Sequence, residues 1–207
     1  MTDDMTELAG VSVSRETIAR LERYCALLTK WNATINLVAK AALPSLWERH
    51  ILDSLQIARH LPERPVHWVD LGSGGGLPGL IVAIVAVERD RGSRFTLVEA
   101  DHRKCAFLLN VIHELKLPAL VRSERIEEIE PLQADILSAR ALASLDILCG
   151  YASRHLAEGG VAIFPKGERA SDEITEAGRN WRFALEVIPS VTNSQAGILK
   201  LQHIHHV

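Results

Sequence analysis

The sequence predicts an α/β fold in which a mostly parallel, seven-stranded sheet carries helices on both faces and follows an N-terminal helical extension. Three observations lead there. Beyond residue 65, short apolar runs alternate with longer helix-like segments. A glycine cluster follows the first of those runs and opens a helix. Before residue 65, the apolar residues recur only at helical spacing.

In the extension, Ile18, Leu21, Cys25, Leu28 and Trp31 mark one face of a helix over 15–31, with Ser14 as its N-cap. Pro44 is placed to open a second helix that runs through Leu61 and stops at Pro62. The boundaries that follow are 1–64 for the helical extension and 65–207 for the sheet domain. Strands are expected at 66–71, 94–99, 119–122, 134–139, 160–164, 183–188 and 198–203. Helices are expected at 77–87, 101–115, 144–155 and 168–177. Sheets of this kind bind ligands beyond the carboxyl ends of their strands, at the point where strand order reverses.

Composition narrows the partners. The 207 residues are 47% hydrophobic and carry a formal net charge of -3, so bulk positive charge does not drive nucleic-acid binding here. A local basic face remains compatible with RNA. Residues 1–10 carry Asp3, Asp4 and Glu7 and no basic flank, and no stretch approaches the ~18 apolar residues of a membrane span. Cys25, Cys105 and Cys149 are scattered, which suits reduced, buried thiols in a cytoplasmic protein rather than a metal site. His203, His205 and His206 read as an exposed tail, and no metal is expected.

The richest stretch is Asp70-Leu71-Gly72-Ser73-Gly74-Gly75-Gly76-Leu77-Pro78-Gly79. Glycines allow a sharp turn and a close ligand approach. Gly74, Gly76 and Gly79 also satisfy G-x-G-x-x-G, which by itself suits a dinucleotide. Asp70 argues otherwise. A carboxylate repels a pyrophosphate and favours S-adenosylmethionine, which carries an ammonium and a sulfonium. Glu99 ends the next strand, where a carboxylate can accept hydrogen bonds from ribose hydroxyls. Ile126 and Glu127 follow the third strand, where an adenine edge would lie. The pattern is that of a Rossmann-like class I methyltransferase.

Further motifs sharpen this. Trp31-Asn32-Ala33-Thr34-Ile35-Asn36-Leu37, His50-Ile51-Leu52-Asp53-Ser54, the loop at 70–79, Arg125-Ile126-Glu127-Glu128, Ser138-Ala139-Arg140-Ala141 and Lys166-Gly167 together resemble the small-subunit ribosomal RNA methyltransferase G family, also called glucose-inhibited division protein B. The resemblance runs from about residue 24 to 166. It implies methylation of N7 of one guanosine of 16S rRNA in the 30S subunit, with S-adenosylmethionine as cofactor. It also implies that Gly72, Leu77, Ile126, Glu127 and Arg140 fall on cofactor-pocket positions. One departure is Gln195-Ala196-Gly197-Ile198, where the family usually carries an Arg-His pair.

Guanine N7 has a free lone pair and no proton to lose, so no general base is expected, only alignment. Arg140 and Lys166 are candidates for positioning substrate: Arg140 on the cofactor carboxylate, guanine O6 or RNA phosphate, Lys166 on phosphate. A surface ion pair and a solvated lysine are the plainer alternatives. Asn32 with Asn36, and His50 with Asp53, each share a helical face and suit structural bonds as well as RNA contacts. The Asp/Asn-Pro-Pro-aromatic signature of exocyclic-amine methylation is missing near 138–141. A small-molecule methyltransferase, a nicotinamide-dependent oxidoreductase and a non-catalytic nucleotide-binding module stay open on the residues alone. A cytoplasmic monomer is expected.

Overall fold

A computed structural model describes residues 5–89 and 92–207; Asp3 and Asp4 lie outside it. The extension does not begin as helix. Thr6–Leu8 (β1) and Val11–Val13 (β2) form an antiparallel hairpin. Ala9 and Gly10 turn it with φ of 50° and 74°, the left-handed pair that a tight two-residue hairpin needs. Val11 and Val13 alternate inward around Ser12, a period of two hidden in only three residues.

Helix α1, Arg15–Asn32, starts where expected, and the Ser14 hydroxyl accepts from the Thr17 N–H at 3.2 Å. Its most buried stripe is Thr17, Leu21, Tyr24 and Leu28. Ile18, Cys25 and Trp31, expected on that face, flank it half-buried. Thr17 and Tyr24 can lie inside because each hydroxyl finds an acceptor, Glu88 and the Gly75 carbonyl respectively.

The single helix expected from Pro44 to Leu61 is absent. The chain instead winds through a 3-10 segment, Lys40–Ser45, with Pro44 inside it, then a π segment, Trp47–Leu52. One α turn, Asp53–Leu55 (α2), and a 3-10 segment, Gln56–His60, complete it. Residues 54–58 are buried without interruption, so packing on several sides, rather than one amphipathic face, sets the winding.

The sheet order is β5-β4-β3-β6-β7-β9-β8. His67–Leu71 (β3), Arg94–Val98 (β4), Ala119–Arg122 (β5), Ala134–Ala139 (β6) and Leu156–Lys166 (β7) run parallel. Trp181–Pro189 (β8) and Gly197–His206 (β9) close it antiparallel. From β3 the chain fills the sheet first towards β5, then returns to β6, so strand order reverses between β3 and β6.

Helices Gly79–Arg89 (α3) and His102–Leu115 (α4) cover one face with the extension; Leu145–His155 (α5) and Ala170–Ala177 (α6) cover the other. The run Leu80-Ile81-Val82-Ala83-Ile84-Val85-Ala86 is apolar on every side because α3 is enclosed on every side. Glu88, near its end, is tied back to α1: it accepts from the Ser14 N–H and hydroxyl at 3.2 and 3.0 Å and from the Thr17 hydroxyl. Partial burial raises the Glu88 pKa, but these bonds outweigh it and hold the carboxyl below its ordinary range.

Ser14 therefore serves both a cap and a helix–helix tie. Ser14→Ala is expected to lower the unfolding free energy by about 1–2 kcal/mol in urea titration. An unchanged midpoint would mean that α1 needs neither bond.

Candidate functional site

The sheet register builds a rim. Leu71 of β3 pairs with Val98 of β4 and with Ala139 of β6. The next residue on each strand, Gly72, Glu99 and Arg140, therefore stands in one row at the carboxyl edge. Lys166 ends β7 at the same edge.

Asp70 lies beneath this rim, not on it. Its side chain is 1% exposed. Oδ1 accepts from the Ser138 hydroxyl at 2.6 Å, and Ser138 in turn accepts from Trp68 Nε1 at 2.9 Å. Burial pushes the Asp70 carboxyl up to about 6, against bonds from Ser138, Ser73 and Gly79 and the charge of Arg140. Gly79 passes so close that a Cβ there would fall 2.7 Å from Asp70 Cβ and 2.6 Å from a Leu97 methyl. The last glycine of the motif thus lets α3 seat on β3 and β4.

The loop between them is held from several sides. Ser73 Oγ donates to the Asp70 carbonyl at 2.8 Å, and Ser73 N to Val98 O at 3.1 Å. The Tyr24 hydroxyl donates to the Gly75 carbonyl, and the Gly74 N–H donates to Glu99 Oε2 at 2.8 Å. Gly72, Gly74 and Gly76 all take positive φ, at 60°, 54° and 83°. At Gly74 a Cβ would meet nothing nearer than the Gly72 carbonyl at 3.8 Å, so the loop opens outward there. The helix expected from Leu77 begins at Gly79, after a cis Leu77–Pro78 bond, and Leu77 is buried.

Glu99 also accepts from Asp101 N at 2.9 Å. A carboxylate offers about four acceptor positions, so two remain for hydroxyl donors. Ile126 is buried, and its carbonyl lies 3.1 Å from His155 Nε2. Glu127 is exposed and accepts from the Tyr151 hydroxyl, which holds its carboxyl low. An outward-opening glycine turn, a carboxylate with spare lone pairs and an apolar wall fit adenosylmethionine; none of them is a phosphate cradle lined by cations.

Arg140 turns from the rim towards the extension. Nη1 donates to Asp53 Oδ2 at 3.1 Å, and Nη2 lies 3.0 Å from His50 Nδ1. The pair is largely enclosed, Arg140 being 16% exposed. Asp53 Oδ1 accepts from Gln56 Nε2 at 3.0 Å and Thr192 Oγ1 at 2.8 Å. Lys166 is neither solvated nor free. Its Nζ donates to Ala143 O at 2.8 Å and Glu173 Oε2 at 2.7 Å, and its side chain is 9% exposed. Arg140, Lys166, His50 and Asp53 line a cavity of about 930 Å³, and Arg140 joins that cavity to the glycine rim. Gln56 and Thr192 escape sequence reasoning, since only folding brings the turn after β8 to this segment. Asn32 proves structural: its Oδ1 accepts from the Leu37 and Val38 N–H groups at 2.8 and 3.0 Å. Residues His203, His205 and His206 lie on β9, and no metal-ligand cluster occurs among the described residues.

A family model described as rRNA small subunit methyltransferase G matches residues 17–202. The chain belongs to this family. A methyltransferase G from Cereibacter sphaeroides is 48% identical over 200 residues, 97% of each chain. Another, from a Ruegeria species, is 50% identical over 197 residues, 95% of this chain and 96% of its own. Among solved structures, an Aquifex aeolicus SAM-dependent methyltransferase aligns with a TM-score of 0.58 at 11% identity, over 84% of this chain and 97% of its own. The M. jannaschii protein TYW2 in complex with AdoMet aligns at 0.56 and 11% identity, over 84% and 80%. At such identities these two speak for the fold, which is that of class I methyltransferases. Membership in the methyltransferase G family decides against the oxidoreductase and the non-catalytic module. Among the described residues no helix is long and apolar enough to cross a membrane.

The Asp70 carboxyl titrates higher in the folded chain than in the unfolded one. Its stabilising contribution is complete below about pH 4 and is lost as pH rises through about 6. Relative to Asp70→Asn, the native chain is expected to lose of order 2–3 kcal/mol between pH 4 and 7 in urea unfolding. Parallel stability curves would show that the carboxyl is not perturbed.

Proposed function

We propose that the protein methylates N7 of one guanosine of 16S rRNA in the 30S subunit, acting as a cytoplasmic monomer with S-adenosylmethionine. The observation that carries this reading is family membership along nearly the whole chain, joined to an outward-opening glycine loop beside Glu99. Residues 1–64 act as an extension that braces the site, and 65–207 form the catalytic domain.

When bound, adenosylmethionine supplies an electrophilic methyl on a sulfonium. Glu99, with two acceptor positions unspent, receives the ribose hydroxyls. Ile126 packs on the adenine, and Glu127 lies at its edge. Gly72, Gly74 and Gly76 give the backbone turn beneath the amino-acid end, with Leu77 closing it from below. Asp70 acts at a distance: it anchors the loop and places a negative charge under a cationic ligand. Arg140 spends two donors on Asp53 and His50, and its remaining N–H groups are available to the cofactor carboxylate. Lys166, committed to Ala143 and Glu173, shapes the neighbouring wall.

No residue needs to take a proton, because the attacking lone pair of guanine N7 is already free. The part of this chain is positional: Glu99, Ile126 and Arg140 would hold the methyl donor at the rim, and the base would have to be oriented against it. When bound, the sulfonium would give up its methyl as the C–S bond breaks, so that the positive charge would pass to the purine and the sulfur would leave as a neutral thioether.

Gly74→Asp would place a charged side chain in the space that opens from the loop, on a backbone with φ of 54°. Adenosylmethionine affinity is expected to fall at least about tenfold in calorimetry, a loss of roughly 1.4 kcal/mol or more. Methyl label supplied with the native protein is expected on 30S particles from a strain lacking the enzyme, at one 7-methylguanosine. Label appearing only in small molecules would reject the substrate, and unchanged affinity in the variant would reject the loop assignment.

A further inference from the structure

One glutamine ties the turn between β8 and β9 into the site. Gln56 is 1% exposed and lies between that turn and Asp53. Its Oε1 accepts from the Val191 N–H at 3.0 Å. Its Nε2 donates to Asp53 Oδ1 and to Ser190 Oγ, each at 3.0 Å. The reversed amide would set its oxygen against the Asp53 carboxylate and its nitrogen against the Val191 N–H, so the orientation is fixed.

The hydroxyl hydrogens then take definite directions. A carboxylate only accepts, so Thr192 gives its hydrogen to Asp53 Oδ1, at 2.8 Å. Ser190 Oγ, 2.9 Å from Thr192 Oγ1, must therefore donate to it. Ser190 in turn accepts from Gln56 and from the Thr192 N–H, the latter at 3.2 Å. Both routes, Gln56 directly and Ser190 through Thr192, end on Asp53 Oδ1. The other oxygen, Oδ2, accepts from Arg140 Nη1 at 3.1 Å. With Oδ1 held by two donors, the carboxylate cannot swing away from Arg140 without losing both bonds. A free arginine samples many rotamers, and ordering it at the moment of binding lowers affinity. Arg140 is ordered beforehand, at the place where the cavity meets the glycine rim.

We infer that Gln56 and Thr192 are positioning residues for the methyl donor: through Asp53 they hold the Arg140 guanidinium where it receives the carboxylate of adenosylmethionine. The inference rests on the reading of Arg140 given above. Both residues act through Asp53, without a contact of their own to the cofactor. The β8–β9 turn, which walls the large cavity with Ser190, Thr192 and Asn193, thereby becomes part of the cofactor site as well.

The test compares two ligands that differ in the carboxylate alone: adenosylmethionine and its decarboxylated form, which keeps the sulfonium, the amine and the adenosine. In calorimetry the native protein is expected to favour adenosylmethionine at least about tenfold, as a charged hydrogen bond warrants. Arg140→Gln is expected to remove that preference. Thr192→Val, which is nearly isosteric, is expected to weaken adenosylmethionine about five- to tenfold and the decarboxylated form less than about twofold. Thr192→Ser keeps the donor and is expected to restore both the affinity and the preference. Gln56→Glu keeps an acceptor for Val191 but sets a second carboxylate against Asp53, and is expected to lose the preference too. Equal losses on both ligands in Thr192→Val, or no loss on either, overturn the inference, because a merely structural residue acts on both alike. So does Thr192→Ser behaving like Thr192→Val. The native protein and Arg140→Gln are measured first. No preference in the former, or a preference that survives in the latter, removes the reading of Arg140 instead.

Discussion

A buried carboxylate at the point where the strand order reverses governs the geometry of the site. Asp70 cannot turn to solvent, and the Trp68–Ser138–Asp70 chain of hydrogen bonds satisfies its Oδ1 across the β3–β6 pair, while Oδ2 is buried without a hydrogen-bond partner. The two strands are thereby joined just before the chain leaves β3 for the glycine turn. Ser73 then bonds back to the Asp70 carbonyl and Val98. The rim that follows, with Gly72, Glu99 and Arg140 in a row, inherits its alignment from that junction. A charged group is an expensive anchor, and its elevated pKa is the visible sign of the cost.

The sheet alone does not complete the site. Tyr24 reaches from α1 to the Gly75 carbonyl, and Leu28 and Leu37 pack beside the same glycine. Asn32 folds the chain after α1 so that Leu37 and Val38 border the large cavity. The π-wound segment and the α2 turn that follows it bring His50 and Asp53 to Arg140; π winding often accompanies functional residues because it redirects side chains by part of a turn. The extension is therefore a second wall of the site and shares one continuous core with α3 and α4.

Much of this was legible in the residues. Alternating runs and the glycine cluster foretold the parallel sheet, its seven strands and the edge where Glu99 and Arg140 stand. Ser14 announced α1, and Asp101 announced α4, where it caps with bonds to Arg103 N and Lys104 N. The failures have physical causes. A three-residue strand such as Val11–Val13 carries too little periodicity to register, although Ala9-Gly10 supplied a turn. The segment after Pro44 looked like an ordinary helix because its apolar content is high, yet it is enclosed on several sides and its winding follows its neighbours. Asp70 was located correctly at a strand end, but its burial was not foreseen: a central parallel strand is covered on both faces, so a polar residue there points into the core whichever way it faces. The partners of Arg140 and Lys166 lie far away in sequence, and no local pattern names them.

The order of strands has a consequence for assembly. β9 follows β8 in the chain but lies between β8 and β7, and β8 pairs with β9 alone. During synthesis, β8 therefore emerges with its sole sheet neighbour still unmade, and the antiparallel edge can form only after residues 197–206 have left the ribosomal tunnel. Leu199 and Leu201 join the core in that same late step. The turn at Ser190 and Thr192 that meets Gln56 and Asp53 lies between these two strands, so the wall of the large cavity is among the last parts of the molecule to mature.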